Sequence, residues 1–180
     1  LSHISFMPAI TEPVEDIVAL LREKYKDGCK ILIDGAHAPG ILDIDIQKLN
    51  CDYYTGNLHK WCFTPKACAF LWVRKEFQKY SDLQPTVISS TGHTDYVLRF
   101  AYTGTKDYTA FCSIPAAFTF IESLGGHKQI YKYNHDLVMK AAEICVKEWN
   151  TSMIAPPEMS GVMCCVLLPF HDDDKIELLH

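Results

Sequence analysis

The chain has 180 residues, 48% of them hydrophobic, enough apolar side chain for one well-packed domain. A formal net charge of −5 and a pI near 5.9, with Lys and Arg scattered, leave no electrostatic footprint for nucleic acid. No apolar run is long enough to span a bilayer, so neither a nucleic-acid nor a membrane partner is expected and the chain reads as soluble.

Leu1-Ser-His-Ile-Ser5 reads as the end of a strand. It has no initiating Met and no basic region of a secretory signal, so it reads as the interior of a longer protein. Thr11-Glu-Pro13 then predicts a helix start, with a capping hydroxyl and a proline in the first turn. Val14, Ile17, Val18, Leu21 and Tyr25 follow at helical spacing, and Asp27-Gly28 ends the run. Lys30 to Asp34 is a short buried strand, so residues 1–34 form the strand, helix, strand unit that builds a parallel sheet. Gly35-Ala-His37-Ala-Pro39-Gly40 breaks the chain, and Ile44 to Leu49 is a short helical turn. An aromatic strand from Cys51 runs into a polar turn carrying Lys60, and Cys68 to Val73 is a further strand.

Arg74 to Ser90 has a mixed pattern that predicts no element. Phe100 to Thr105 reads as a strand entering a glycine turn. Tyr108 to Leu124 reads as a helix with Pro115 inside it, which calls for a bend or a late start near Ser113. After Gly125-Gly126, residues 128–149 form the clearest amphipathic helix, with Ile130, Tyr133, Leu137, Ala141, Ile144, Cys145 and Trp149 on one stripe. Pro156-Pro157 marks a boundary before a strand at Val162 to Leu168, and His171 to His180 begins a further helix. The division expected is a sheet domain over 1–125 and the start of a smaller domain over 126–180.

Two residues carry the functional argument. A lysine on a turn is ordinarily a solvated charge, and an aspartate after a strand is ordinarily a turn or capping residue. Asp34 and Lys60, however, each end a predicted strand, and ligands of α/β sheets sit beyond the carboxyl ends of strands. Their side chains are therefore expected to converge in one crevice at the C-terminal edge of a largely parallel sheet. An acid and a lysine so placed fit pyridoxal phosphate chemistry, in which the lysine forms a Schiff base and the acid holds the pyridinium nitrogen protonated. Burial beside a cationic ring disfavours the charged lysine and leaves it free to attack the aldehyde.

Ile33-Asp-Gly-Ala-His-Ala-Pro-Gly40 followed by Cys51-Asp-Tyr-Tyr-Thr-Gly-Asn-Leu-His-Lys-Trp61 resembles the class V aminotransferase family, in particular its isopenicillin N epimerase-like branch with C–S lyase relatives. Leu1 to Ser5 and Tyr102-Thr-Gly-Thr-Lys-Asp-Tyr108 resemble the same branch, so the match covers most of the chain. The resemblance implies an α/β fold, the pyridoxal-phosphate-dependent transferase fold type I, with Lys60 as the Schiff-base lysine and Asp34 on the pyridinium. It implies that His37, often Gln in relatives, contacts the cofactor, and that Asn57, more often Ser, and His59 hydrogen-bond its phosphate. Thr105 matches a position that reaches the phosphate of a neighbouring subunit, which implies a homodimer. His3 and Phe6 are weaker candidates. An asparagine occupies the place of Phe6 in desulfurase-like relatives, and Phe6 cannot make its hydrogen bond, which argues against a plain desulfurase. The family's glycine-rich phosphate loop and ring-stacking residue fall before Leu1, and its carboxylate-binding arginine falls after His180.

The function so implied is chemistry at the α-carbon of a small amino-acid substrate, by epimerisation, transamination or C–S cleavage. The alternative is a non-catalytic remnant that keeps the fold as a structural or interaction unit. The eight cysteines include no C-x-x-C pair and several lie in apolar patterns, where free thiols serve as small hydrophobes. They suit a reducing, cytoplasmic setting without disulfides. His59, Cys62 and Cys68 are close in sequence, but their spacing matches no common zinc site, and no metal is expected.

Overall fold

A computed structural model of the chain describes residues 1–79, 83–90 and 95–169. Its centre is a three-stranded sheet in the order β1 (Leu32–Gly35), β2 (Tyr53–Asn57), β3 (Ala69–Val73). β1 and β2 are parallel, with Leu32 opposite Tyr53 and Gly35 opposite Gly56. β3 is antiparallel to β2, with Tyr53 opposite Val73, because the short link from Asn57 to Ala69 cannot supply the crossover that a parallel return needs. The N-terminal segment extends the parallel edge. Asp34 N–H donates to the Leu1 carbonyl at 2.7 Å and His3 N–H donates to the Asp34 carbonyl at 2.8 Å. Of the strand, helix, strand unit expected over residues 1–34, the helix and the second strand are present, and the first strand is reduced to a single parallel bridge of Ser2 with Asp34.

Burial follows the pleat. In β1, Ile33 is fully buried while Leu32 and Asp34 face outward. Helix α1 (Val14–Tyr25) lays Val14 and Val18 against Ile31, Ile33, Leu49, Cys51 and Tyr54 to close the main core. A second cluster of Ile4, Ala38 and Ile41 receives Trp61, Tyr131 and Val162, which ties later parts of the chain to the sheet.

Thr11 does not cap α1. Its backbone is engaged in a bridge with Ile4 and donates to the Met159 carbonyl, its hydroxyl is buried without a partner, and the helix starts after Pro13 with no side-chain cap. Asp27-Gly28 falls in a short 3-10 turn at the helix end, and one helical bond from Leu49 N–H to the Asp45 carbonyl forms the turn expected there. The strand expected from Phe100 is instead the end of helix α3 (Tyr96–Ala101). Asp95 caps it by accepting from Leu98 N–H, and Tyr96 packs on Phe100 one turn later with centroids 5.0 Å apart, so a cap and an i,i+4 aromatic pair outweigh aromatic β-propensity. Helices α4 (Thr109–Cys112) and α5 (Ile114–Ser123) are separated at Ser113, the break that Pro115 demands.

Helix α6 (Gly126–Trp149) follows Gly125, whose φ of 91° suits glycine. Its inward face is not the predicted stripe: Tyr133, Leu137 and Ile144 are exposed and Ala142 is buried. A polar anchor sets the rotation, since His135 stacks on Tyr131 and places Nδ1 2.8 Å from the Gly161 carbonyl. Val162 to Leu168 is not a regular strand. It makes a single antiparallel bridge, Val166 with Met153, and Pro156 and Pro157 end the partner stretch because they offer no N–H. The helix expected over 171–180 lies outside the described residues. No helix among them is long and apolar enough to cross a membrane.

Asp52 holds the near end of the sheet together. It is 2% exposed, accepts from Ile31 N–H at 2.7 Å through Oδ2, and pairs through Oδ1 with Arg22 at 2.8 Å and Arg74 at 3.6 Å. The guanidiniums also donate to the Asn50, Cys29 and Cys51 carbonyls. Removing one member of a buried ion cluster leaves the others uncompensated, at a cost of about 3–5 kcal/mol. Asp52→Ala is therefore expected to lower the unfolding free energy by about that much in urea titration; a loss under about 1 kcal/mol would contradict this.

Candidate active site

β1 and β2 end side by side, Asp34 opposite Thr55 and Gly35 opposite Gly56. Past Gly35 the chain turns tightly, with Ala38 N–H donating to the Gly35 carbonyl at 2.9 Å. Gly35 is required there because a Cβ would overlap the Tyr54 ring and hydroxyl. The Tyr54 hydroxyl lies 2.8 Å from His3 Nδ1. Burial pulls the His3 imidazole below its usual range, and burial with the nearby Cys51 and Asp34 pushes the Tyr54 phenol up. Both rings are therefore neutral near pH 7, and His3 supports the strand end from beneath.

β2 passes directly into α2 (Leu58–Trp61), so Lys60 sits on one turn of helix rather than in the polar turn expected. Leu58 N–H and His59 N–H both donate to the Cys68 carbonyl, and His59 Nδ1 lies 2.8 Å from the same oxygen. This clamp orients Lys60 toward the loop after β1, where its Nζ lies 3.0 Å from His37 Nε2.

Asp34, Ala36, His37 and Lys60 line a cleft of about 490 Å³ at the carboxyl ends of β1 and β2, with Ser5 and Phe6 on the opposite wall. Asp34 is oriented by the Ala36 N–H, which donates to Oδ1 at 3.0 Å. His37 Nδ1 is buried without a partner. Asn57, His59 and Thr105 lie outside this cleft. Asn57 is the residue before α2 and makes no side-chain cap, and Thr105 is exposed. Phe6 is 72% exposed at the rim. Lys60 also borders a second, mainly apolar cleft of about 570 Å³ walled by Trp61, Phe63, Leu124 and Ile130.

Ser5, Ala36 and Tyr54 were not singled out from sequence. The one available signal was Gly35 in a strand, where a glycine marks a close approach; Tyr54 is what approaches. All eight cysteines are free thiols, and His59 faces the Cys68 carbonyl rather than its sulfur. No group of three His, Cys, Asp or Glu side chains among the described residues could hold a metal ion.

Burial lowers the pKa of His37, the Lys60 charge lowers it further, and the Asp34 carboxylate opposes both. Lys60→Met is therefore expected to raise the His37 pKa, and Asp34→Asn to lower it, in a titration of the imidazole ring protons by NMR. Shifts of the same sign in the two variants would contradict this electrostatic account.

Comparison with known proteins identifies the family and the fold. The sequence matches the family described as Aminotransferase class-V over residues 1–180. It is 34% identical over 171 residues to a probable chloroplastic L-cysteine desulfhydrase of Arabidopsis thaliana, covering 94% of this chain and 36% of that protein. It is 32% identical to hercynylcysteine sulfoxide lyase of Schizosaccharomyces pombe, covering 97% and 45%, and 27% identical to isopenicillin N epimerase of Streptomyces clavuligerus, covering 93% and 45%. The chain therefore spans less than half the length of these relatives. An apo cysteine desulfurase from Thermococcus onnurineus NA1 has the same fold, with a TM-score of 0.70 at 16% identity, over 93% of this chain and 43% of that one. With the family match over residues 1–180 and the shared fold in agreement, the chain belongs to the class-V aminotransferase family, a pyridoxal-phosphate-dependent enzyme family of fold type I.

Proposed function

We propose that this chain carries the lysine-and-aspartate half of a pyridoxal-phosphate site in an enzyme acting at the α-carbon of an amino acid. The observation that carries the reading is the meeting of Asp34, His37 and Lys60 around one cleft at the carboxyl ends of two parallel strands. The residues fit the cofactor. Asp34 Oδ1 is held by Ala36 N–H, so the other oxygen is free to accept from a ring N–H. Ala36 is small enough for a flat ring to lie against it, and Lys60 reaches the same space.

When bound, the cofactor supplies an electron sink for the pair left at the substrate α-carbon. Lys60 Nζ is the atom that would hold the aldehyde and, once released, take and return the α-proton. Asp34 would keep the ring nitrogen protonated by its charge. By resemblance, His37 would touch the ring or its phenolic oxygen. Asn57 and His59 would contact the phosphate, His59 with Nε2 because Nδ1 faces the Cys68 carbonyl. Thr105 would serve the phosphate of a second subunit in a homodimer, an arrangement consistent with its exposure. Residues 1–125 would belong to the cofactor domain and 126–180 would open the smaller one. Free thiols throughout the chain suit the cytoplasm.

The relatives include a probable cysteine desulfhydrase, a hercynylcysteine sulfoxide lyase and an isopenicillin N epimerase by name, and we take the chemistry common to this set to begin at the α-carbon. By resemblance, an asparagine stands at the place of Phe6 in desulfurase-like relatives, and Phe6 cannot make its hydrogen bond, which argues against a plain desulfurase.

Pyridoxal phosphate titration tests the reading. The protein is expected to gain a visible absorption band that survives dialysis, and borohydride reduction should fix the cofactor's mass on the Lys60 peptide. Lys60→Ala should lose both. Asp34→Ala should keep attachment but slow α-proton exchange roughly 10²- to 10³-fold, the size of losing one preorganised electrostatic group. Attachment at another lysine, or none in the full-length protein, would return the chain to a scaffold role.

A further inference from the structure

We propose that His37 is a positioning residue that aims the Lys60 amine into the cleft, and that it does so only as a neutral imidazole, so that acid releases the lysine. This deepens the reading of Lys60 as the anchoring lysine and rests on it for its functional meaning. The contact itself is independent of any cofactor.

Lys60 stands on a helix of only four residues, Leu58–Trp61, with an exposed side chain. A lysine stem gives up its rotamer freedom only against a fixed partner. Among the described residues no carboxylate forms an ion pair with Lys60, although Asp34 lines the same cleft. The partner it has is His37 Nε2 at 3.0 Å.

His37 is held firmly. Ala38, which follows it, is fully buried and bonded back to Gly35. Gly40 has φ of 86° and approaches the Trp61 backbone so closely that a Cβ would lie 2.6 Å from the Trp61 carbonyl oxygen. The loop carrying the imidazole is thus interlocked with the helix carrying the amine, and neither can drift alone.

An ammonium can only donate, so Nε2 must offer a lone pair and the ring proton must sit on Nδ1. That nitrogen is buried and has no hydrogen-bond partner, so its N–H is held at a desolvation cost and the ammonium contact at Nε2 is what keeps the ring in this tautomer. A second proton on Nε2 would remove the acceptor and set two cations in contact. The charged groups facing His37 are Lys60 from α2 and Asp34 from β1. The segment from Ser2 to Met7, which forms the other wall, presents no charge to it, because His3 is turned to Tyr54. Burial and the Lys60 charge keep the imidazole neutral against the pull of Asp34.

NMR of the cofactor-free protein labelled with 15N-lysine tests this directly. The Lys60 ammonium is expected to give a cross-peak at pH 7, its protons exchanging roughly ten- to a hundredfold more slowly than those of solvated Lys24 or Lys66, the size of one hydrogen bond to a charged group. Acid slows ammonium exchange at every lysine, so the readout is the ratio: the Lys60 rate should rise to that of Lys24 and Lys66 with the midpoint of the His37 ring titration in the same sample. His37→Gln, whose amide oxygen accepts without titrating, should keep Lys60 exchange slower than that of Lys24 and Lys66 through that range, and His37→Phe should lose the difference at every pH. If a variant fails to fold, the acid titration of the unmodified protein still decides. Pyridoxal phosphate added to the same samples reads the other claim separately: no attachment at any pH, with these ammonium signals intact, overturns the assignment of Lys60 and leaves the His37 contact standing. Lys60 exchange that stays roughly ten- to a hundredfold slower than at Lys24 and Lys66 after His37 is protonated, or in His37→Phe, overturns the proposal.

Discussion

The bond from Ile31 N–H to the buried Asp52 carboxylate is the constraint on which the site depends. It joins the residue before β1 to the residue before β2, and so fixes which pairs face each other: Leu32 with Tyr53, and two residues on, Asp34 with Thr55. A slip of one residue would move every side chain of β1 to the other face. Asp34 would then turn into the core where Ile33 now lies, and Ile33 would face the cleft. The aspartate at one end of the sheet thereby determines where the aspartate at the other end points.

The two carboxylates show opposite uses of charge. Asp52 is sealed from water and satisfied by two guanidiniums and a backbone N–H. Such a cluster is a weak source of net stability but a strong discriminator against wrong registers, because any mispairing strands buried charge. Asp34 is exposed, tied by a single backbone bond, and left with an open oxygen. A sheet whose rigid charges sit at one end can keep reactive ones uncommitted at the other.

What could be read from the sequence follows how local each determinant is. The strand bearing Asp34 and the strand that leads to Lys60 were legible because each is an apolar or aromatic run closed by a polar or glycine-rich stop, and the helix break at Ser113 was legible because Pro115 acts through its own ring. The inward face of α6 was not, because its apolar positions are spread widely enough to allow more than one face, and the choice is made by His135 against Gly161, 26 residues away. Thr11 misled for a similar reason: its capping signature is genuine, but its backbone is claimed by Ile4 and Met159. Of the candidate site, Asp34, His37 and Lys60 share one cleft, whereas Asn57, His59 and Thr105 were assigned by likeness alone and lie outside it.

The close approach at two glycines explains why so short a segment can build a site. Gly35 lets the Tyr54 ring lie against β1, and Gly40 lets the following loop reach the carbonyl of Trp61. The first contact fixes the floor under Asp34 through the buried Tyr54 and His3 pair. The second fixes the distance between the loop with His37 and the helix with Lys60. Neither contact tolerates a side chain larger than hydrogen without displacing backbone or a buried ring, so the placement of the acid, the loop with the imidazole and the helix that carries the lysine depends on packing, and only the Lys60 stem is left to the contact with His37. This matters for chemistry, because the loop and the helix keep their places when a side chain changes charge, and the Lys60 amine alone answers to the charge on His37.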